Sequence, residues 1–313
     1  MISRSSSLDE RIRALERVAR ASLDLIGPQL ELALAYDRVG RTREVYTTLL
    51  EVAARFPKDL EVRESLSRIP VSQFANYETV PRGTYAQALR NLRTGDTSLQ
   101  PYIIVDDQRI ARPQTVREIM LMRLNDPDQL NKYSDSCSAT AYSAEDKQHV
   151  LVIPASRNLI LLPHDFTGTF FPIDEGFEIV KRIENGTEKV SVKRPLKGVL
   201  DKETEPIYAI DRDKPGQIYG RSLTRDEVMR NEGWIGLAEE DTELLSDYAD
   251  LVFGKLKERG KTEGMGFYFR SKNQITEAEL RPVYVSVLDY GSDAYVCDLG
   301  DDGMQFVRVA QKK

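Results

Sequence analysis

The sequence predicts an α+β protein in which N-terminal helical hairpins precede a mixed, mostly antiparallel sheet body with packed helices. Three observations predict it. Apolar residues recur at helical spacing up to residue 70. Beyond residue 101, short apolar or alternating runs bounded by Gly, Pro and Asp dominate. Two Thr-x-x-Glu capping boxes, Thr115/Glu118 and Thr224/Glu227, mark helix starts inside that β-rich stretch. A chain of 313 residues is long enough for two domains. The expected division is a helical region over 1–70 and a body over 71–313, with a sub-boundary near 200–222.

In the helical region, Leu8, Ile12, Leu15, Val18 and Ala19 form one stripe. Gly27-Pro28 punctuates, and Pro28 suits the first turn of a second helix carrying Leu30, Leu32, Ala33 and Tyr36. Gly40 stops it. Val45, Leu49, Leu50 and Val52 line a third helix that ends at Pro57, and Leu60, Leu66 and Ile69 line a fourth. The stretch "LALAYDRVGRTREVYTTLLEVAARFPKD" resembles a tetratricopeptide repeat over residues 26–59. Leu32, Ala33, Tyr36, Gly40, Leu49 and Pro57 carry the resemblance. Val45 and Val52 depart from it, since that family prefers alanine there. The resemblance implies a groove for a protein or peptide partner, with Tyr36, Arg38 and Arg43 as candidate binding residues. Such repeats bury their faces on neighbours, so a hairpin packed on the rest of the protein is the alternative.

In the body, a short helix is expected over 84–92, a strand over 102–107, and a helix after Thr115 with Val116, Ile119, Met120 and Leu124 inward. "HVLVIP" and "NLILLP" read as strands buried on both faces. "FEIVKRIENGTEKVSVKR" reads as a hairpin turning at Asn185-Gly186, with Ile179 opposite Val192 and Lys181 opposite Val190. "EPIYAID" and "QIYGRS" continue the β pattern. Residues 242–259 predict the longest body helix, acidic at its start, basic at its end, and closed by Gly260. Strands follow at "MGFYFRS", "RPVYVSVLDY", "AYVCDLG" and "MQFVRVA". "LTRDEVMRNEGWIGLAEEDTELLSDYADLVF" and "YSDSCSATAY" resemble uncharacterised archaeal proteins of small-genome lineages, a group that implies no activity.

A formal charge of −6 disfavours nucleic acid as a partner. No apolar run reaches the roughly 18 residues of a membrane helix, and the N-terminus lacks a signal-peptide core. Two cysteines and two histidines form neither a disulfide framework nor a metal-ligand set, so no cofactor is expected and the expected location is the cytoplasm. One candidate catalytic constellation remains. Cys137 sits among Asp135, Ser136, Ser138 and Thr140, residues suited to a turn or helix start. His149 or His164 would be the base, and Asp135, Asp146 or Asp165 the group that orients it. Against this, free cysteine is among the most buried residue types. Trp234, the single tryptophan, is either a partner anchor or core. The function expected is protein–protein interaction by an adaptor or accessory subunit. The alternative is a thiol-dependent hydrolase or transferase centred on Cys137.

Overall fold

The computed structural model describes residues 4–56, 59–173, 179–184, 187–192 and 207–312. The fold is α+β: N-terminal helices and a mixed, mostly antiparallel sheet. The chain divides into two compact units, one comprising Met1–Glu78, Gly95–Arg112 and Val309–Lys313, the other Thr79–Thr94 and Pro113–Arg308. Part of the sub-boundary expected near 200–222, together with Pro57 and the Asn185-Gly186 turn, lies outside the described residues, as do the side chains of Leu8 and Leu60.

The first unit holds α1 (Arg4–Ala21), α2 (Ile26–Asp37), α3 (Thr42–Arg55) and α4 (Leu60–Ser67). Gly40 joins α2 to α3 in the left-handed region (φ +72°), where a Cβ would be strained. Leu32, Tyr36, Leu49 and Val52 are buried between the helices, with Ile12 and Ala19 of α1. Val18 departs from the expected stripe and is half exposed, because Ile12 and Ala19 set the buried face of α1. Strand β1 (Ala75–Thr79) pairs with the C-terminal strand Val307–Gln311. The strand expected over 102–107 is instead a hairpin of β2 (Tyr102–Val105) and β3 (Gln108–Ala111). Asp106 and Asp107 turn it with φ of 48° and 60°, the geometry of a two-residue hairpin turn, which aspartate tolerates.

The second unit opens with α5 (Tyr85–Arg93) and α6 (Val116–Asn125), each started by a complete capping box, Thr84/Gln87 and Thr115/Glu118. Then follow β4 (Ser134–Tyr142), β5 (His149–Ile153), the single-turn α7 (Arg157–Ile160), β6 (Phe171–Pro172), β7 (Ile179–Glu184), β8 (Thr187–Val192) and β9 (Tyr208–Asp211). Helices α8 (Arg225–Val228), α9 (Glu232–Leu237) and α10 (Thr242–Glu258) come next, then β10 (Phe267–Tyr268), β11 (Glu279–Val285) and β12 (Ala294–Val296), after which the chain enters β13 (Val307–Gln311), the strand that pairs with β1. The main sheet runs β10-β12-β11-β4-β5-β9, with β6 beside β11, and only β10 and β12 are parallel in it. β7 and β8 pair with Ile179 opposite Val192 and Lys181 opposite Val190, the expected register. Two expected strands are absent. "NLILLP" becomes α7 because the Ser156 hydroxyl caps it, accepting the Leu159 N–H. "QIYGRS" is irregular, broken by Gly216 and Gly220 at positive φ.

Alternate residues of β4 serve opposite layers. Ala139 and Ala141 join Tyr85, Leu89 and Leu92 of α5, with Leu151, Ile153 and Leu280, in one core. On the other face the Ser138 hydroxyl accepts the N–H of Val116 at the start of α6 (2.9 Å) and donates to the Pro154 carbonyl (2.6 Å). Behind α6, the α10 helix is capped by Asp241, which accepts the Leu244 N–H at 3.0 Å. No described helix is long and apolar enough to cross a membrane.

Candidate functional site

The cysteine segment differs from the expectation of a turn or helix start. All nine residues of β4 are buried, and small side chains there let helices approach both faces of the sheet. Three of its hydroxyls bond within the chain: besides Ser138, Ser136 donates to the Val283 carbonyl (2.6 Å), and Thr140 donates to the Tyr142 hydroxyl (3.1 Å). Cys137 is completely buried, and its thiol donates to the Pro113 carbonyl at 3.2 Å. The ladder sets its distance from His149. Ala141 faces Leu151 in that ladder, so His149 lies opposite Ser143, six positions along the strand from Cys137, or roughly 20 Å at strand spacing. Cys137 and His149 therefore do not form a dyad. His149 instead holds Asp146, Nδ1 to carboxylate at 2.9 Å. His164 and Asp165 are exposed on the loop after α7.

A completely buried thiol is reached only when the chain opens. Iodoacetamide should therefore modify Cys137 at least about tenfold more slowly in native than in urea-unfolded protein, read by mass spectrometry of the Cys137 peptide. Equal rates in the two states would put the thiol at an accessible site.

The candidate binding residues are dispersed. Tyr36 is committed to packing: its hydroxyl donates to Glu16 at 2.7 Å and the Arg41 guanidinium lies 4.5 Å over its ring. Burial, with the Glu16 hydrogen bond, pushes its phenol up to about 12. Arg38 is exposed at the end of α2 and Arg43 is half-buried on α3. Of the two readings of Trp234, partner anchor or core, its surroundings match the core. It is completely buried, donates its indole N–H to the Met265 carbonyl, and lies beside Tyr248.

A different site emerges at the β10 edge of the main sheet. Tyr268, Tyr295 and Tyr284 are register partners across β10, β12 and β11, and Asp135 of β4 faces Tyr284. Their rings form one stack, with centroids 4.4 Å apart between Tyr268 and Tyr295 and 5.3 Å between Tyr295 and Tyr284. Tyr133 links this stack to Tyr290 through 6.2 and 6.3 Å contacts. All three stacked tyrosines are half-buried, and Tyr290 is 61% exposed. The sequence does carry a signal for this row: Phe-Tyr-Phe at 267–269, Val-Tyr-Val at 283–285 and Ala-Tyr-Val at 294–296. In each, the flanking apolar residues turn to the other sheet face.

Beside the stack is an open depression of about 530 Å³ bordered by Lys261, Glu263, Tyr268, Tyr290, Asp293 and Tyr295. Asp293 is buried. Its carboxylate accepts the Gly266 N–H at 2.6 Å and the Tyr295 hydroxyl at 3.1 Å. Burial raises its pKa, and those donors, with the Tyr268 hydroxyl, pull it back. A tight backbone crossing holds the floor. Met265 N–H donates to Gly291 (2.8 Å) and Ala294 N–H to Gly266 (2.9 Å). A Cβ at Gly264 would meet the Gly291 carbonyl at 2.8 Å. Met265 and Ser292 sit at φ of 49° and 60°, strained for residues with side chains. Burial raises the phenols of Tyr284, Tyr295 and Tyr133, so they act as neutral hydrogen-bonding groups rather than bases. The arrangement is a stiff aromatic surface with one recessed carboxylate, chemistry for recognition. Among known proteins, no family, curated sequence or solved structure matches this chain.

Proposed function

We propose that the protein is a non-catalytic binding protein, an adaptor or accessory subunit that docks a protein or peptide partner through the second unit. The stack of Tyr268, Tyr295 and Tyr284 carries this reading. Tyrosine supplies large contact area at small entropic cost and is enriched at recognition surfaces. Rings already stacked across three strands are ordered before a partner arrives, which lowers the cost of binding. The N-terminal helices, with their resemblance to a tetratricopeptide repeat, offer a second recognition surface. The two cysteines are buried and form no disulfide among the described residues, which suits a reducing compartment such as the cytoplasm.

Peptide display tests this. A random peptide library panned on the protein should yield sequences whose affinity falls by about tenfold or more in Tyr290→Ser and in Tyr268→Ser/Tyr295→Ser. Tyr290 is exposed, so its variant keeps the fold even where the double variant does not. Selected peptides that bind both variants as well as wild type would refute the tyrosine surface as the docking site.

A further inference from the structure

We propose that the depression beside the tyrosine stack receives an arginine side chain of the protein partner. The inference rests on the proposed partner-binding function and names the chemistry of its anchor. Three carboxylates border the depression, Glu263, Asp289 and Asp293, against one ammonium, Lys261. Asp289 is partly spoken for, because Arg259 pairs with its carboxylate and Lys261 donates to its carbonyl at 2.7 Å. Glu263 is exposed, and Asp293 is buried with its carboxylate accepting the Tyr295 hydroxyl. The balance is negative, which repels phosphates and other anions and favours a cation.

The aromatic lining selects among cations. A guanidinium is planar and weakly hydrated, stacks on aromatic rings, and presents a fork of donors that matches carboxylates and phenol oxygens. An ammonium offers neither the plane nor the fork. The chain uses this chemistry inside itself: Arg109 lies 3.6 Å over the Tyr102 ring and Arg212 lies 5.3 Å over the Tyr142 ring. At the depression the carboxylates and the rings are present, and the guanidinium is the component a partner would bring. The tight crossing of Gly264 and Gly291 fixes Asp293 against movement as the cation enters.

The probe is N-acetyl-arginine amide, titrated into isotopically labelled full-length protein and followed by amide shifts of Glu263, Gly264, Gly291 and Ser292. Saturable shifts at those amides are expected. The neutral isostere N-acetyl-citrulline amide should bind about tenfold more weakly, and the lysine analogue about threefold more weakly. Glu263→Gln removes a rim charge without touching the fold and should weaken the arginine probe about threefold. Asp293→Asn keeps the acceptor for Gly266 N–H and should weaken it further. Citrulline binding as well as arginine, shifts confined to other regions, or indifference to both variants would overturn the proposal. If peptides selected by display need the tyrosines but contain no arginine, this inference falls while the partner-binding function stands. If the arginine probe binds here but no peptide is selected through the tyrosines, the site is one for a small cation and the docking function fails instead.

Discussion

Replacing Arg123 by alanine should destabilise the second unit by about 4 kcal/mol, read from urea unfolding. Arg123 is completely buried on α6, and its guanidinium bonds, among the described residues, to hydroxyls and carbonyls rather than to a carboxylate. Its charge is spread over a cage of dipoles. Nη1 donates to the Tyr248 hydroxyl of α10 (2.9 Å) and to the Ser292 hydroxyl (2.7 Å). Nη2 donates to the carbonyls of Lys132 (2.7 Å), Val285 (3.3 Å) and Ser286 (3.1 Å). One side chain thus ties α6 to α10, to the end of β11 and to the strained turn that carries Ser292. Alanine would leave a cavity, two buried carbonyls (Val285 and Ser286) and the half-buried Lys132 carbonyl without this donor, while Tyr248 and Ser292 keep each other (2.9 Å). Arg123→Lys keeps the charge but cannot span both ends of the cage, and should cost about 2 kcal/mol. A loss below about 1 kcal/mol for alanine would mean that water enters and satisfies the carbonyls.

Arg123 also shows where sequence and structure part. Val116, Ile119, Met120 and residue 123 follow the i, i+3, i+4, i+7 rule of a buried helix face. Reading hydropathy instead of phase assigns the last place to Leu124, which is only half-buried. Local chemistry was legible. The boxes at Thr115 and Thr224 form as their spacing requires, and Asp241 caps α10. Gly40 joins α2 to α3 because a positive φ is needed there. What failed was chemistry that depends on distant chain. Polar β4 resembled a turn because its hydroxyl partners, such as Val283 and Pro154, come from other elements. The alternation around each tyrosine is visible in the sequence, but their meeting in one row was hidden for the same reason. Its members come from three strands whose order, β10-β12-β11, differs from their order in the chain, and periodicity within one segment carries no sheet order.

Asp135→Asn should make the protein more stable above pH 7 by on the order of 4 kcal/mol, while leaving its stability near pH 3.5 almost unchanged. Asp135 is buried in β4 opposite Tyr284. Its N–H donates to the Gln305 carbonyl (3.1 Å), and its carboxylate accepts the Gln305 N–H (2.5 Å). Burial pushes its carboxyl up to about 7; the Gln305 N–H and Arg82 oppose the rise and Asp301 adds to it. In the unfolded chain the same carboxyl ionises near 4. Below that value both states hold the proton, and the full stability is present. Between about 4 and 7 the unfolded chain loses its proton while the folded one keeps it, so stability falls as pH rises. Above 7 the folded chain carries a buried carboxylate and the loss is complete. Asparagine has no proton to lose and still offers an oxygen to the Gln305 N–H. Urea midpoints of wild type and variant should therefore converge at low pH and separate steadily through pH 4–7. A difference that stays constant across that range would show that Asp135 does not titrate with folding. The stabilised variant should keep its tyrosine row, because Asn at 135 preserves the β4 side of the Tyr284 pair. Peptides selected on the wild-type surface should then bind it with unchanged affinity.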